Sequence, residues 1–586
     1  MRTTVDVATQ QDEGISSSAP SLLSALTLPE RKPADWAVSA ALLVLTTAYL
    51  LLFRRYTFSP DEGITLQGAQ RVLQGQVMYR DFFYFCTPGS YYLLALLFRI
   101  FGSSIIVART ALAVYGGIFA LLTYLIARRV CARWSAIVPP CLVILALLPN
   151  YFVALHNWDS TLWAYITLYC AVWLLQRPHW AWALGMGTCC SITVLFEQSK
   201  GACLLLGLMV GFGILWACHQ IRVKRSQSLA ALAGIVWPVV LATGYFASQD
   251  AFLPMVKDMF SPFLRLSSVN SVPYGYLSWG SAILDRPLPE AMLILLLSSP
   301  YFLISALPIF GVGVLVYSTA RSWRVRHKQA ERWAYYVLVS GGTSGLLLSV
   351  LASRKDASHF VFIGPIISLI LCWFLDGSDI RLRTVDHVRP LAVAAIVLAF
   401  TLLGFSPLVI ANGFVSRETR RGIVKVPVSE TALDYLRMHT RPGEDIFVYP
   451  YYPTYYYLTA TSNPTPYDYM HPGLHTPEQF EEAMNRIAAR RPEVVLFDPS
   501  FYGGIVESFP STPIRVLVSR DPLADFILAA YRPCAMLVPA NGGNFIFMVR
   551  KDLHCLEAPA GGVAPKIGDA KAEAPPLNSA EPRGPR

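Results

Sequence analysis

The sequence predicts a polytopic α-helical membrane protein of about eleven transmembrane helices, followed by a C-terminal extracytoplasmic α/β domain. Three observations carry this expectation. Of 586 residues, 54% are apolar and only 15% charged, against about 25% charged in an ordinary soluble domain. The apolar residues gather in blocks long enough to cross about 30 Å of hydrocarbon at about 1.5 Å per residue. Beyond residue 411 the blocks stop, and short apolar runs alternate with turn-forming residues.

Residues 1–35 are polar, rich in Ser, Thr and Gln and without a basic stretch, which reads as a disordered cytoplasmic N-terminus. No small-residue cleavage pattern follows the first apolar block, so that block is expected to be an uncleaved helix. The blocks span 36–53, 104–127, 134–149, 159–175, 180–196, 201–218, 229–248, 300–320, 333–352, 359–375 and 391–411. The apolar stretch from 291 to 320 is long for one crossing, so Pro300 and Pro308 are expected to kink it, or a re-entrant segment to precede it. Most cysteines lie inside apolar blocks without metal-ligand spacing, as small core residues do. The net charge of +10 does not point to nucleic acid, because the basic residues sit in short loops between blocks.

Those loops set the orientation. With the N-terminus inside, the cytoplasmic loops 128–133, 176–179, 219–228, 321–332 and 376–390 hold 15 Lys and Arg in 47 residues. The opposite loops, 54–103, 150–158, 197–200, 249–299 and 353–358, hold 11 in 120. The bias follows the positive-inside rule. Arg54 and Arg55 vote the other way. An odd number of crossings then puts residues 412–557 outside as a small α/β domain, with helices at 429–440 (Ser429 as cap) and 476–490 (Thr476 as cap, Pro477 in the first turn). Strands are expected at 445–449, 494–497 and 544–549. Outside the cytoplasm, Cys534 and Cys555 are able to pair. Residues 558–586, rich in Pro, Ala, Gly and Glu, read as a disordered tail.

The chemistry is concentrated in the outward loop 54–103. Ser59-Pro60-Asp61-Glu62-Gly63 opens an amphipathic stretch. Tyr79-Arg80-Asp81-Phe82-Phe83 and Thr87-Pro88-Gly89-Ser90-Tyr91-Tyr92 follow. Two carboxylates after a proline either favour a helix dipole or supply a base beside the bilayer. In their order these segments resemble the C-fold (GT-C) membrane glycosyltransferases, and most nearly the bacterial mannosyltransferase or lipopolysaccharide-core galacturonosyltransferase-like family. The likeness extends to His156-Asn157-Trp158-Asp159, Glu197-Gln198-Ser199-Lys200-Gly201, Arg354-Lys355-Asp356-Ala357-Ser358-His359, and the run from Pro442-Gly443-Glu444-Asp445 to Leu458.

The resemblance implies a GT-C-like fold and a sugar donor carried on polyprenyl phosphate. It also implies transfer to a cell-envelope glycan, lipid or protein at the outer face of the plasma (inner) membrane. It makes Asp61 the expected catalytic residue, with Glu62 beside it. Arg354 and Lys355 would then hold the donor phosphate, or merely lipid headgroups, and Asp356 would orient Arg354. His359 is either a phosphate or acceptor contact or an interfacial histidine. Lys200 with Glu197 marks a cavity or an ion pair at the membrane edge. His156 and Asp159 fall at an outward helix edge. Arg80 and Asp81 pair with each other or contact sugar and phosphate. The tyrosine-rich run 449–457 is either a sugar-stacking surface or a domain core. No nucleotide fingerprint is present. A divalent metal is an open possibility, with Asp61 and Glu62 as weak candidates. Two rival readings are a transporter or flippase of lipid-linked sugars and a non-catalytic envelope scaffold.

Overall fold

Each of the eleven apolar blocks folds as a helix, because backbone in hydrocarbon has to satisfy its own N–H and C=O groups within the segment. The computed structural model describes residues 33–56, 58–269, 272–277, 286–324, 331–376, 389–471, 474–501, 510–511, 521–540 and 542–555. The expectations for most of the N-terminal segment, for the C-terminal tail and for the basic residues 325–330 lie outside these.

The bundle runs through α1 (Pro33–Leu50), α2 (Pro60–Leu73), α3 (Gly89–Phe101), α4 (Ile105–Ala127), α5 (Arg133–Asn150), α6 (His156–Gln176) and α7 (Trp180–Phe196). It continues with α8 (Gln198–Ala217), α9 (Arg225–Ser248), α10 (Phe252–Val269), α11 (Leu288–Arg324), α12 (Glu331–Ser353), α13 (Ala357–Asp376) and α14 (Arg389–Ile410). Among the described residues, nine helices are long and apolar enough to cross a membrane; α7 is apolar but has only 17 residues. The chain is a polytopic helical membrane protein.

Of the two forms expected for the stretch from 291, the structure has the single helix, 37 residues long and containing both Pro300 and Pro308. Beyond the expected amphipathic stretch, here α2, the loop 54–103 holds a second helix, α3, whose apolar residues cluster with those of α2. Close approach of α8 to α12 rests on glycine: a Cβ on Gly207 would overlap the carbonyl of Gly341, and one on Gly345 the carbonyl of Cys203. Small residues are what let helix backbones approach this closely in lipid.

After the bundle come β1 (Phe414–Thr419), β2 (Gly422–Pro427), α15 (Ala432–His439), β3 (Ile446–Tyr449), α16 (Thr454–Thr459), α17 (Pro477–Arg490), β4 (Val494–Phe497), α18 (Pro522–Ala530), β5 (Tyr531–Leu537) and β6 (Phe545–Arg550). β1 and β2 form an antiparallel hairpin. The main sheet has the order β3-β4-β6-β5, with β3 parallel to β4 and the other pairs antiparallel. The three expected strands lie in this sheet. The hairpin and β5 are additional. Thr476 caps α17 through a capping box with Gln479. Ser429 does not cap α15: the helix starts at Ala432, and the Glu430 carboxylate accepts from Leu433 N at 2.7 Å. A carboxylate three residues ahead of an exposed N–H satisfies it as a serine hydroxyl would. Cys534 and Cys555 form a disulfide.

The domain is seated on the first loop. Residues of α2, α3 and the start of α4 share one apolar core with β3, β4, β6 and α16, through Leu66, Ala69, Phe98 and Ile105 on one side and Val448, Tyr456, Leu496 and Phe547 on the other. This shared core fixes α2 between the bundle and the domain.

Candidate active site

Asp61 owes its position to the first turn of α2. The Ser59 side chain accepts from Asp61 N at 3.3 Å, and Pro60 occupies the first helical position. Consecutive residues on a helix project about 100° apart, so Asp61 and Glu62 face different surroundings.

Glu62 turns inward. Its side chain and that of Arg109, on α4, are both fully buried. Arg109 Nε donates to Glu62 Oε1 at 2.9 Å and Nη2 to Oε2 at 2.5 Å. Ala154 N also donates to Oε1 at 3.0 Å, and Arg109 Nη1 reaches the Tyr56 carbonyl at 2.8 Å. A carboxylate this fully engaged anchors the loop to the bundle. The expectation that Glu62 works beside Asp61 is corrected on that ground.

Asp61 turns outward into a cavity of about 600 Å³. Its walls come from four parts of the chain. The first loop gives Asp61, Tyr84 and Phe85; the α5–α6 turn gives Asn150, Tyr151, His156 and Asn157. The α12–α13 turn gives Arg354, Ser358 and His359, and the C-terminal domain gives Tyr451, Tyr469 and His471. Tyr451 Oη donates to Asp61 Oδ1 at 2.6 Å. Tyr84 Oη and His156 Nδ1 lie 3.4 Å apart.

Arg354 and His359 are held by Asp356, which is buried beneath them. Arg354 forms an ion pair with the Asp356 carboxylate, and His359 Nδ1 lies 2.7 Å from Oδ1. His359 N and Ser358 Oγ donate to the same oxygen, each at 2.9 Å. Burial alone would push the Asp356 carboxyl up, but His359 and Arg354 beside it hold it well below the usual carboxylate range. Asp356 therefore fixes two basic side chains along one cavity wall without facing the cavity itself.

The other sequence candidates fall into two groups. Lys200 and Glu197 are paired at 2.8 Å behind the His156–Asn157 wall. Lys200 Nζ also donates to the Asn157 carbonyl and Ser160 Oγ, at 3.0 and 2.8 Å. Asp159 lies deeper, accepting from Ser90 Oγ at 2.6 Å. Three residues do not line the cavity. Arg80 Nε and Nη2 each donate to Asp81 at 2.9 Å, and Nη1 reaches the Gln249 carbonyl. Asp81 also accepts from Val77 N, closing its own turn. Lys355 is exposed, and its carbonyl accepts from Gly275 N. Neither the Arg80–Asp81 pair, held to each other by local hydrogen bonds, nor the exposed Lys355 lines the cavity.

The tyrosine run 449–457 divides between its two readings. Tyr449, Tyr452, Tyr455, Tyr456 and Tyr457 are domain core, while Tyr451 faces the cavity. Among the described residues no group of three or more His, Cys, Asp and Glu is arranged to hold a metal ion, and the divergence of Asp61 from Glu62 separates the two carboxylates weighed for one. Sequence reasoning passed over Arg109, whose signal was a lone charge inside an apolar block. It also passed over Tyr84, Tyr151, Tyr469 and His471, which carried no signal.

Among solved structures, the chain is similar to ArnT from Cupriavidus metallidurans bound to undecaprenyl phosphate. The TM-score is 0.51 at 13% identity, over 90% of this chain and 100% of that one. The chain has that fold. The apo state of the same protein aligns over 88% of this chain and 98% of that one, with a TM-score of 0.47 and 12% identity. No family model and no curated protein sequence matches. The polytopic helical architecture with a C-terminal α/β domain expected from the sequence is thus the architecture present, at an identity where sequence alone carries little of the likeness.

Proposed function

We propose that this protein is a glycosyltransferase that moves a sugar from polyprenyl phosphate to a hydroxyl of a cell-envelope glycan, lipid or protein. The observation that carries the reading is the single cavity that sets Asp61 against Arg354 and His359, beside apolar helices. The donor's prenyl tail stays in the bilayer, gaining about 0.8 kcal/mol per buried methylene, while its phosphate lies at the interface. Asp61 takes the proton from the acceptor hydroxyl, and the oxygen attacks the anomeric carbon. The bond from that carbon to the phosphate oxygen breaks, and polyprenyl phosphate departs with the electron pair. Arg354 and His359 stabilise the charge on the departing phosphate. A chain of the same fold bound to undecaprenyl phosphate supports the donor class.

The cavity belongs, in this reading, to the extracytoplasmic face. The Lys and Arg bias of the loops supports that orientation, and so does the Cys534–Cys555 disulfide, since disulfides persist in oxidising compartments. The sequence motifs resemble the bacterial mannosyltransferase or galacturonosyltransferase-like family, and the transferred group in this reading is a hexosyl or pentosyl sugar. The test is to incubate the purified protein with a panel of radiolabelled polyprenyl-phosphate sugars. One donor is expected to be consumed, and Asp61→Asn to lower turnover by about 10²–10⁴-fold, the scale of a lost general base, with folding unchanged. A fully active Asp61→Asn would remove Asp61 from the chemistry and favour a scaffold.

A further inference from the structure

Asp61 sits at the meeting point of two regions that are far apart in sequence. The bundle holds the residue after it, through Glu62 and Arg109. The C-terminal domain holds the residues around it. Thr454 Oγ1 donates to the Ser59 carbonyl at 2.7 Å. At the far end of α2, Arg71 pairs with Asp468 at 2.7 Å, both nearly buried, and donates to the Thr465 carbonyl at 2.9 Å. These contacts already clamp the domain to α2 at both ends.

Tyr451 adds a bond of another kind. It reaches the carboxylate of the only acidic residue among the described cavity-lining residues, across 390 positions of sequence. Its ring has little freedom: it stacks on Phe501 with centroids 5.9 Å apart and meets Tyr469 edge-on at 5.3 Å. A fixed phenol bonded to one carboxylate oxygen fixes the plane of the carboxylate. The second oxygen, Oδ2, remains for the cavity. Efficient proton transfer requires that oxygen at hydrogen-bond distance from the acceptor hydroxyl, and an error of about 1 Å costs on the order of 100-fold in rate.

We propose that Tyr451 is a positioning residue, by which the C-terminal domain sets the orientation of the Asp61 carboxylate for transfer. The inference rests on the glycosyltransferase reading above. It gives the C-terminal domain a part in the reaction beyond covering the cavity. Tyr451 itself is not the proton acceptor; it acts through Asp61.

Tyr451→Phe tests this, since the ring packing on Phe501 and Tyr469 is kept and only the hydroxyl is lost. With the donor found active for the wild type, kcat is expected to fall about tenfold or more. KM for the donor, the Kd for polyprenyl phosphate and the melting temperature should stay at their wild-type values. A kcat within twofold of wild type, or above it, overturns the proposal. So does a loss carried by KM and Kd with kcat unchanged, which would make Tyr451 a substrate contact, or a lowered melting temperature with bound lipid lost, which would make it a packing residue. Failure of every donor with the wild-type protein is a different result and overturns the glycosyltransferase reading instead.

Discussion

Replacing Glu62 with glutamine leaves the Arg109 guanidinium charged in a place sealed from water. Both side chains of the pair have no exposed surface, so water cannot take over the role of the lost carboxylate. Removing one partner of a buried ion pair typically costs about 3–5 kcal/mol, most of it the penalty for the stranded charge. The glutamine still offers an oxygen to Ala154 N, so that hydrogen bond is not part of the loss. The double variant Glu62→Gln/Arg109→Met takes the charge away as well. It leaves the Tyr56 carbonyl, a partly buried acceptor, without the Arg109 Nη1 donor that now reaches it at 2.8 Å, a loss of at most about 1–3 kcal/mol. The double variant should therefore be about 2 kcal/mol more stable than the single one. Equilibrium unfolding in detergent, followed by tryptophan fluorescence, reads both values. If Glu62→Gln unfolds like the wild type but has lost turnover, Glu62 belongs to the chemistry and the anchoring argument fails. A double variant no more stable than the single one would show that the buried charge is not the source of the cost.

Two further outcomes follow from the same geometry. Gly63→Ala would drive a Cβ into the backbone N and Cα of Thr454, so the domain has to move off α2. A loss of about 1–3 kcal/mol is expected, with turnover lowered because Tyr451 is carried away with Thr454; unchanged melting and turnover would contradict the tight α2–α16 contact. Glu430, buried and accepting from the Tyr455 hydroxyl at 3.4 Å, has its carboxyl pushed up from 4.5 to about 7, chiefly by burial. The unfolded chain releases this proton first, so the protonated side chain contributes stability that is complete below about pH 4.5 and lost as the pH rises through about 7. The difference corresponds to about 3 kcal/mol. Glu430→Gln should flatten that part of the profile and stabilise the domain near pH 8, measured as melting temperature against pH; a parallel profile would refute the assignment.

How far the sequence carried the reading depends on the range of the interactions involved. Membrane helices are legible because each satisfies its own backbone and advertises itself by local hydropathy, and all eleven blocks fold as helices. The strands at Ile446–Tyr449, Val494–Phe497 and Phe545–Arg550 were legible for a related reason, being short apolar runs between turn signals. The hairpin Phe414–Pro427 was not, since its alternation is broken by charged residues that only become meaningful once it docks against Arg55 and Ser104.

The site divides along the same line. The sequence supplied Asp61, His156, Arg354 and His359 through the resemblance of their segments to known motifs, and by the count of crossings placed those segments on one side. It could not separate Asp61 from Glu62. Adjacent in sequence, they are sent apart by the phase of a helix, one to Arg109 47 positions on and the other to Tyr451 390 positions on. Tertiary structure decided that division, because the free energy of a buried carboxylate is set by the partner it meets in space and not by its neighbour in the chain.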